Sequence, residues 1–156
     1  GGPPIVIGGT GERRTLPLAA RCAAEWNCDG SMPPERYAHK KAVLDRACER
    51  EGRDPGTLRR SMMIFGAVMG SNAADLDRAT RASMAVSGAG DQPTERFRTE
   101  ARARGAIVGT AAEVVDYLGA LSHLGVAEVQ FDHTDFDSDE FPEYLASEIL
   151  PLATLL

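Results

Sequence analysis

The chain has 156 residues, with 23 acidic and 17 basic side chains and a formal charge of −6. Hydrophobic residues make up 43% and charged residues 26%, which excludes a disordered or collagen-like chain and fits one globular domain. The acidic balance argues against a general nucleic-acid binder, whose contact face would be basic. No apolar run approaches the roughly 18 residues of a membrane span.

Pro4–Ile7 is a short apolar run ended by Gly8-Gly9, and it predicts a buried strand of a parallel sheet. A helical pattern follows from about Glu12 to Ala24, with Pro17 in its first turn, where a missing N–H costs little. Glu25–Cys28 predicts a very short second strand. Pro33-Pro34-Glu35 opens a helix to about Glu51, with Tyr37, Leu44 and Cys48 on one face and Gly52 as its stop. Arg60–Met69, with MMIFGAVM at its heart, predicts one strand. Asn72 is placed to cap a helix that runs to Val86.

Ser87–Pro93 is rich in breakers, and Thr94–Arg104 predicts a polar helix, so a helical insertion is expected near 87–105. Its arginines (Arg96, Arg98, Arg102, Arg104) alternate with Glu95 and Glu100, the pattern of a solvated face. Thr110-Ala111-Ala112-Glu113 is a capping box. It opens a helix with Ala111, Val114, Val115, Leu118 and Leu121 on one side, stopped by Gly125. Val126–Phe131 predicts the last strand, and 132–139 an acidic loop. Ser138 would cap a terminal helix with Phe141, Tyr144, Leu145, Ile149 and Leu152 inward.

The order is β-α-β-α-β-α-α-β-α, which implies a parallel sheet with right-handed crossovers. A (β/α)8 barrel needs eight βα units in about 250 residues. The chain therefore suits a part of a barrel or a free-standing doubly wound sheet.

The three cysteines (Cys22, Cys28, Cys48) are odd in number and irregular in spacing, unlike a disulfide framework. Cys22 and Cys48 lie in apolar helical patterns and are expected to be buried, reduced thiols, with the cytoplasm as compartment. No paired Cys or His ligands occur at zinc spacing, so no metal is expected. Gly1-Gly2-Pro3-Pro4 has no basic n-region, so no signal peptide is read there. The chain opens on Gly1 rather than Met, as expected of a piece of a longer sequence.

The sharpest local feature is Ile5-Val6-Ile7-Gly8-Gly9-Thr10-Gly11-Glu12-Arg13-Arg14. A strand runs into glycines and then into a helix start, where bared N–H groups and the helix dipole favour an anion. Thr10 could add a hydroxyl, and Arg13 or Arg14 a cation. The third glycine of a dinucleotide fingerprint is absent, and no Gly-Lys-Ser/Thr follows. A phosphate site and an empty tight turn both fit. His133 follows the last strand and is read as a loop histidine or, less readily, a proton donor. Asp135, Asp137 and Asp139 alternate as in a calcium loop, but Glu140 and Ala146 stand where an EF-hand needs Gly and Glu. His39 and His123 read as surface residues, and Met62, Met63 and Met69 as core.

PPIVIGGTGERRTLPLAARCAAEWN resembles the strand-five region of the luciferase-like monooxygenase superfamily, in its F420-dependent oxidoreductase branch. HKKAVLDRACEREGRDPGTLRRS resembles the segment before strand seven, and IVGTAAEVVDYLGALSHLGVAEVQF the segment through helix seven into strand eight. One departure is Glu25, where the family commonly has Asp. The resemblance implies a single domain, 1–156, that is the C-terminal half of a TIM (β/α)8 barrel, about four parallel βα units covering strands five to eight. It implies hydride transfer between coenzyme F420, or FMN, and an unknown small-molecule substrate. The coenzyme phosphate would lie against Gly8, Gly9, Thr10 and Gly11, with Arg13 and Arg14 as weaker carry-overs. Trp26 and Asn27 end the short second strand and would reach the mouth, or Trp26 would be plain core. No catalytic residue is implied, and this half alone would be inactive. About 130–170 upstream residues are expected from the usual barrel length. The strand runs read as too apolar to meet water on either side, and the sheet has two open edges, so a homodimer is expected. The competing reading is a non-catalytic α/β assembly module that binds no coenzyme.

Overall fold

The computed structural model describes residues 2–28, 30, 32–132 and 139–156. Its elements run β1 (Val6–Gly8), α1 (Thr15–Cys22), β2 (Glu25–Cys28), α2 (Pro34–Arg50), β3 (Arg59–Ile64), β4 (Val68–Gly70) and α3 (Ala73–Ser87). They continue as α4 (Thr94–Ala103), β5 (Val108–Thr110), α5 (Ala111–His123), β6 (Glu128–Phe131), α6 (Glu140–Tyr144) and α7 (Leu150–Ala153). A four-stranded sheet has the order β1-β2-β3-β6, all parallel, so β1 and β6 are its edges.

The stretch read as one strand, Arg60–Met69, is two. Gly66 takes φ 67° and turns the chain, so that β4 leaves the main sheet and pairs in parallel with β5. Val68, Leu76, Ala101 and Val108 form a second small core under α3 and α4. Gly70 is required there: a Cβ at that position would lie 2.2 Å from the Leu76 amide nitrogen.

Strand side chains alternate between faces, and the register sorts them. Trp26, Arg60, Cys28, Met62, Val129 and Ile64 face the helices. Trp26, Cys28, Met62 and Ile64 are buried there with Leu16 of α1, Tyr37 and Leu44 of α2, and Val114 and Leu121 of α5. Arg60 lies among them because Asp45 of α2 meets it at 2.7 Å, and Lys41 meets Asp45 at 2.7 Å. The opposite, inner face carries Glu25, Asn27, Arg59, Ser61, Met63, Glu128 and Gln130. The expectation that both faces are too apolar for water is therefore overturned: apart from Met63, the inner face is polar along β2, β3 and β6.

Two other expectations change. Cys22 is exposed at the end of α1, while Cys28 and Cys48 are buried, and none of the three is in a disulfide among the described residues. The terminal helix is broken by a wide turn over Leu145–Ile149 just before Pro151, whose ring cannot sit against the preceding turn of a regular helix. Ile149 is buried as expected, but Leu152 is exposed. His133, Asp135, Asp137 and Ser138 lie outside the described residues. His39 and His123 are on the surface as read.

Candidate functional site

The glycine loop joins β1 to α1 at the C-terminal end of the sheet. Gly9 holds the loop to β2 through both of its backbone polar groups. Its N–H donates to the Asn27 carbonyl at 3.1 Å, and its carbonyl accepts from Trp26 Nε1 at 2.7 Å. Gly9 has φ 115°, and a Cβ there would sit 3.1 Å from Thr15 Cγ2. A Cβ on Gly11 would sit 2.9 Å from Thr15 Oγ1. These two glycines are thus dictated by backbone conformation and by the packing of Thr15. Gly8 differs: a Cβ there would meet only the Asn27 carbonyl, at 4.0 Å.

Beyond Gly9, the amide N–H groups of Thr10, Gly11, Glu12, Arg13 and Arg14 donate to no backbone carbonyl among the described residues. The helix α1 starts without a side-chain cap. The helices α2 and α4 also start without a side-chain cap, on Pro33 and Pro93, whereas the glycine-helix turns before α3 and α5 are closed. Asn72 accepts the Ala74 and Asp75 amides at α3, and Thr110 with Glu113 forms the capping box at α5. There the Glu113 carboxyl is held below the usual range, first by the Thr110 amide.

Charge around the open loop is mixed. Glu12 is bound by Lys40 at 2.6 Å and by His39 at 3.1 Å, and these hydrogen bonds hold its carboxyl below the ordinary range. Arg13 and Arg14 are exposed and have no ion pair among the described residues. The loop can therefore offer main-chain donors and two uncommitted guanidinium groups to an anion.

Of the residues singled out in the sequence, Gly8, Gly9, Thr10, Gly11, Arg13, Arg14, Trp26 and Asn27 come together around this loop. Trp26 does not reach the mouth. It is 0% exposed and stacks on Tyr37 with ring centroids 5.6 Å apart. It is the anchor that holds Gly9 from below. Asn27 faces inward, where its Nδ2 donates to Ser61 Oγ at 2.8 Å and Gln130 Oε1 at 3.3 Å. Ser61 Oγ donates in turn to Glu25, and Gln130 Nε2 donates to Glu128 at 2.8 Å. Arg59 bridges Glu25 at 3.6 Å and Glu128 at 2.6 Å. This connected polar layer was missed, although its signal was present: polar residues at alternate positions in β2, β3 and β6. Among the described residues, no group of three or more His, Cys, Asp or Glu is placed to hold a metal ion. No helix among them is long and apolar enough to cross a membrane.

No protein-family model matches the sequence, and no curated protein matches it. Solved structures do. The fold is similar to that of the coenzyme F420-dependent tetrahydromethanopterin reductase of Methanopyrus kandleri, with a TM-score of 0.65 and 19% identity, over 95% of this chain and 50% of that one. An F420-dependent secondary alcohol dehydrogenase in complex with an F420-acetone adduct matches with a TM-score of 0.63 and 13% identity, over 98% of this chain and 49% of that one. A riboflavin lyase with modified FMN and riboflavin matches with a TM-score of 0.66 and 13% identity, over 98% of this chain and 43% of that one. The chain spans half or less of these neighbours, which are of the luciferase-like kind that the sequence resembles. The shared feature is the fold: α/β with parallel strands, matching about half of a luciferase-like TIM barrel.

Proposed function

We propose that the chain is the coenzyme-phosphate half of an F420- or FMN-dependent oxidoreductase. In this reading, residues 1–156 form a single half-barrel unit, strands five to eight, with an insertion near 87–105. The observation that carries the reading is the uncapped start of α1, with free amides from Thr10 to Arg14 where the sequence resembles a coenzyme loop. The neighbours whose names include F420 and FMN support the same class of coenzyme.

The residues present fit such a group. Gly8 leaves room for close approach, and the free amides can receive phosphate oxygens. Arg13 and Arg14 supply positive charge. Glu12 opposes an anion, but Lys40 and His39 hold it. The coenzyme, when bound, carries the hydride chemistry. The chain's own residues bind and orient it: Gly9 fixes the loop, Trp26 and Asn27 fix Gly9, and the amides hold the phosphate end. The substrate is a small molecule. One half of a mouth cannot close a pocket around a ring and a substrate, so this chain alone does not turn over.

The cytoplasm is the proposed compartment, in keeping with three cysteines outside any disulfide among the described residues. A homodimer is proposed for the complete enzyme. Its seat is not the polar inner face but an outer surface such as the one that exposes Leu152 and Leu155.

Coenzyme titration of the complete enzyme tests the site. Gly9→Val is a poor probe, because its positive φ and the Thr15 contact would disturb the loop itself. Gly8→Ala and Arg13→Gln leave the loop's packing intact. Arg13→Gln should raise the coenzyme dissociation constant about three- to tenfold, the range of one exposed charge-assisted contact. Unchanged affinity in both variants would remove the loop from the site.

A further inference from the structure

We propose that the inner sheet face docks a second βα half-barrel whose strands bring a Lys or Arg side chain to Glu25 and Glu128, and that a second copy of this chain is not the occupant. This rests on the reading of the chain as half of a barrel and goes beyond it by naming the chemistry of the other half.

The argument is one of charge. In the layer formed by Glu25, Arg59 and Glu128, two carboxylates share one guanidinium. The Glu25 side chain is already 12% exposed, whereas Arg59 and Glu128 retain 52% and 39%. Ser61 and Gln130 serve the carboxylates only as neutral donors. While the face is open, water screens the unmatched charge. A layer of protein over it removes that water, and an unpaired buried carboxylate is strongly unfavourable. The covering layer must therefore contribute a cation. A second copy would instead add another unmatched carboxylate.

The edges point to the same kind of occupant. β1 and β6 each have one unpaired side, and parallel strands can extend both. On the helix side of the β6 edge, Val129, Leu145, Ile149 and Leu156 line an open groove of about 340 Å³. A strand with a helix behind it covers edge and groove together, which a lone strand does not.

A charge-inverted copy serves as the probe. Glu128→Lys turns the layer's excess charge from negative to positive, and Glu128 lies on an edge strand where the longer side chain has room. Sedimentation equilibrium at low ionic strength compares wild type, E128K and their equimolar mixture. Association through any other surface contributes equally to all three samples. The mixture should associate at least about tenfold more tightly than either chain alone, with the difference shrinking as salt screens it. E128Q, whose layer is neutral, should self-associate more than wild type, and it decides the matter if E128K does not fold. Equal association in all samples, absent or present, overturns the proposal. That outcome leaves the coenzyme loop untouched, because loop binding is read separately by titration.

Discussion

Replacing Trp26 by alanine should lower stability by about 3–5 kcal/mol, the largest effect expected of any single truncation in this core. The ring is fully buried on the helix side of β2 and stacks on Tyr37 at an interplanar angle of 17°. Truncation opens a cavity between β2 and α2 and removes the donor to the Gly9 carbonyl. Trp26→Phe separates the two effects. It keeps most of the packing and loses the hydrogen bond, which is worth about 1 kcal/mol. Urea unfolding of the two variants and the wild type measures both steps. A loss below about 1 kcal/mol for the alanine variant would mean that Trp26 is not the anchor of this layer.

The second large effect is an asymmetry at the Arg60–Asp45 pair. Arg60 is 10% exposed and lies among apolar side chains, with Asp45 Oδ1 at 2.7 Å and the Pro55 carbonyl at 2.9 Å. Its Nε has no partner among the described residues. Asp45→Ala leaves this guanidinium without its counter-charge and should cost about 3 kcal/mol, the low end for a broken buried pair, because Asp45 is itself 22% exposed. Arg60→Met should cost less than about 1 kcal/mol, since Asp45 keeps Lys41 and a methionine fills the space. Chemical unfolding of both variants checks this. Equal losses would show that the pair matters only as packing.

Much of the fold was legible because its signals are strong where the elements are long. The apolar stripe of α2, the Asn72 cap of α3 and the capping box of α5 each sit where the sequence reads them. The glycine loop was legible for the same reason: a β-branched run meeting glycines and a helix has few other readings. The short elements were not. β4 and β5 have three residues each, too few for alternation to register. Gly66 inside MMIFGAVM marked the break, but only its positive φ shows that the chain turns there.

The inner face was lost to a different cause. Glu25 and Asn27, Arg59 and Ser61, and Glu128 and Gln130 form a period of two in plain view. Their neighbours Trp26, Met62 and Val129 dominate the hydrophobicity of each run, and a sum over the run hides an alternation within it. Within the site, the role of Gly9 depends on the register of β1 against β2. That register sends its N–H to Asn27 and its carbonyl to Trp26, and no local pattern encodes it. Cys22 follows the same logic: it lies in an apolar stretch, but on the exposed side of the last turn of α1.

The most direct test of the account is an amide NMR titration of this chain with inorganic phosphate and then with FMN and F420. The amides of Thr10, Gly11, Glu12, Arg13 and Arg14 should move together and saturably in all three titrations, with phosphate competing against each coenzyme. A coenzyme-reduction assay on the same sample should stay at background. Amides in this loop that do not respond while others do, or robust turnover by the chain alone, would contradict the account.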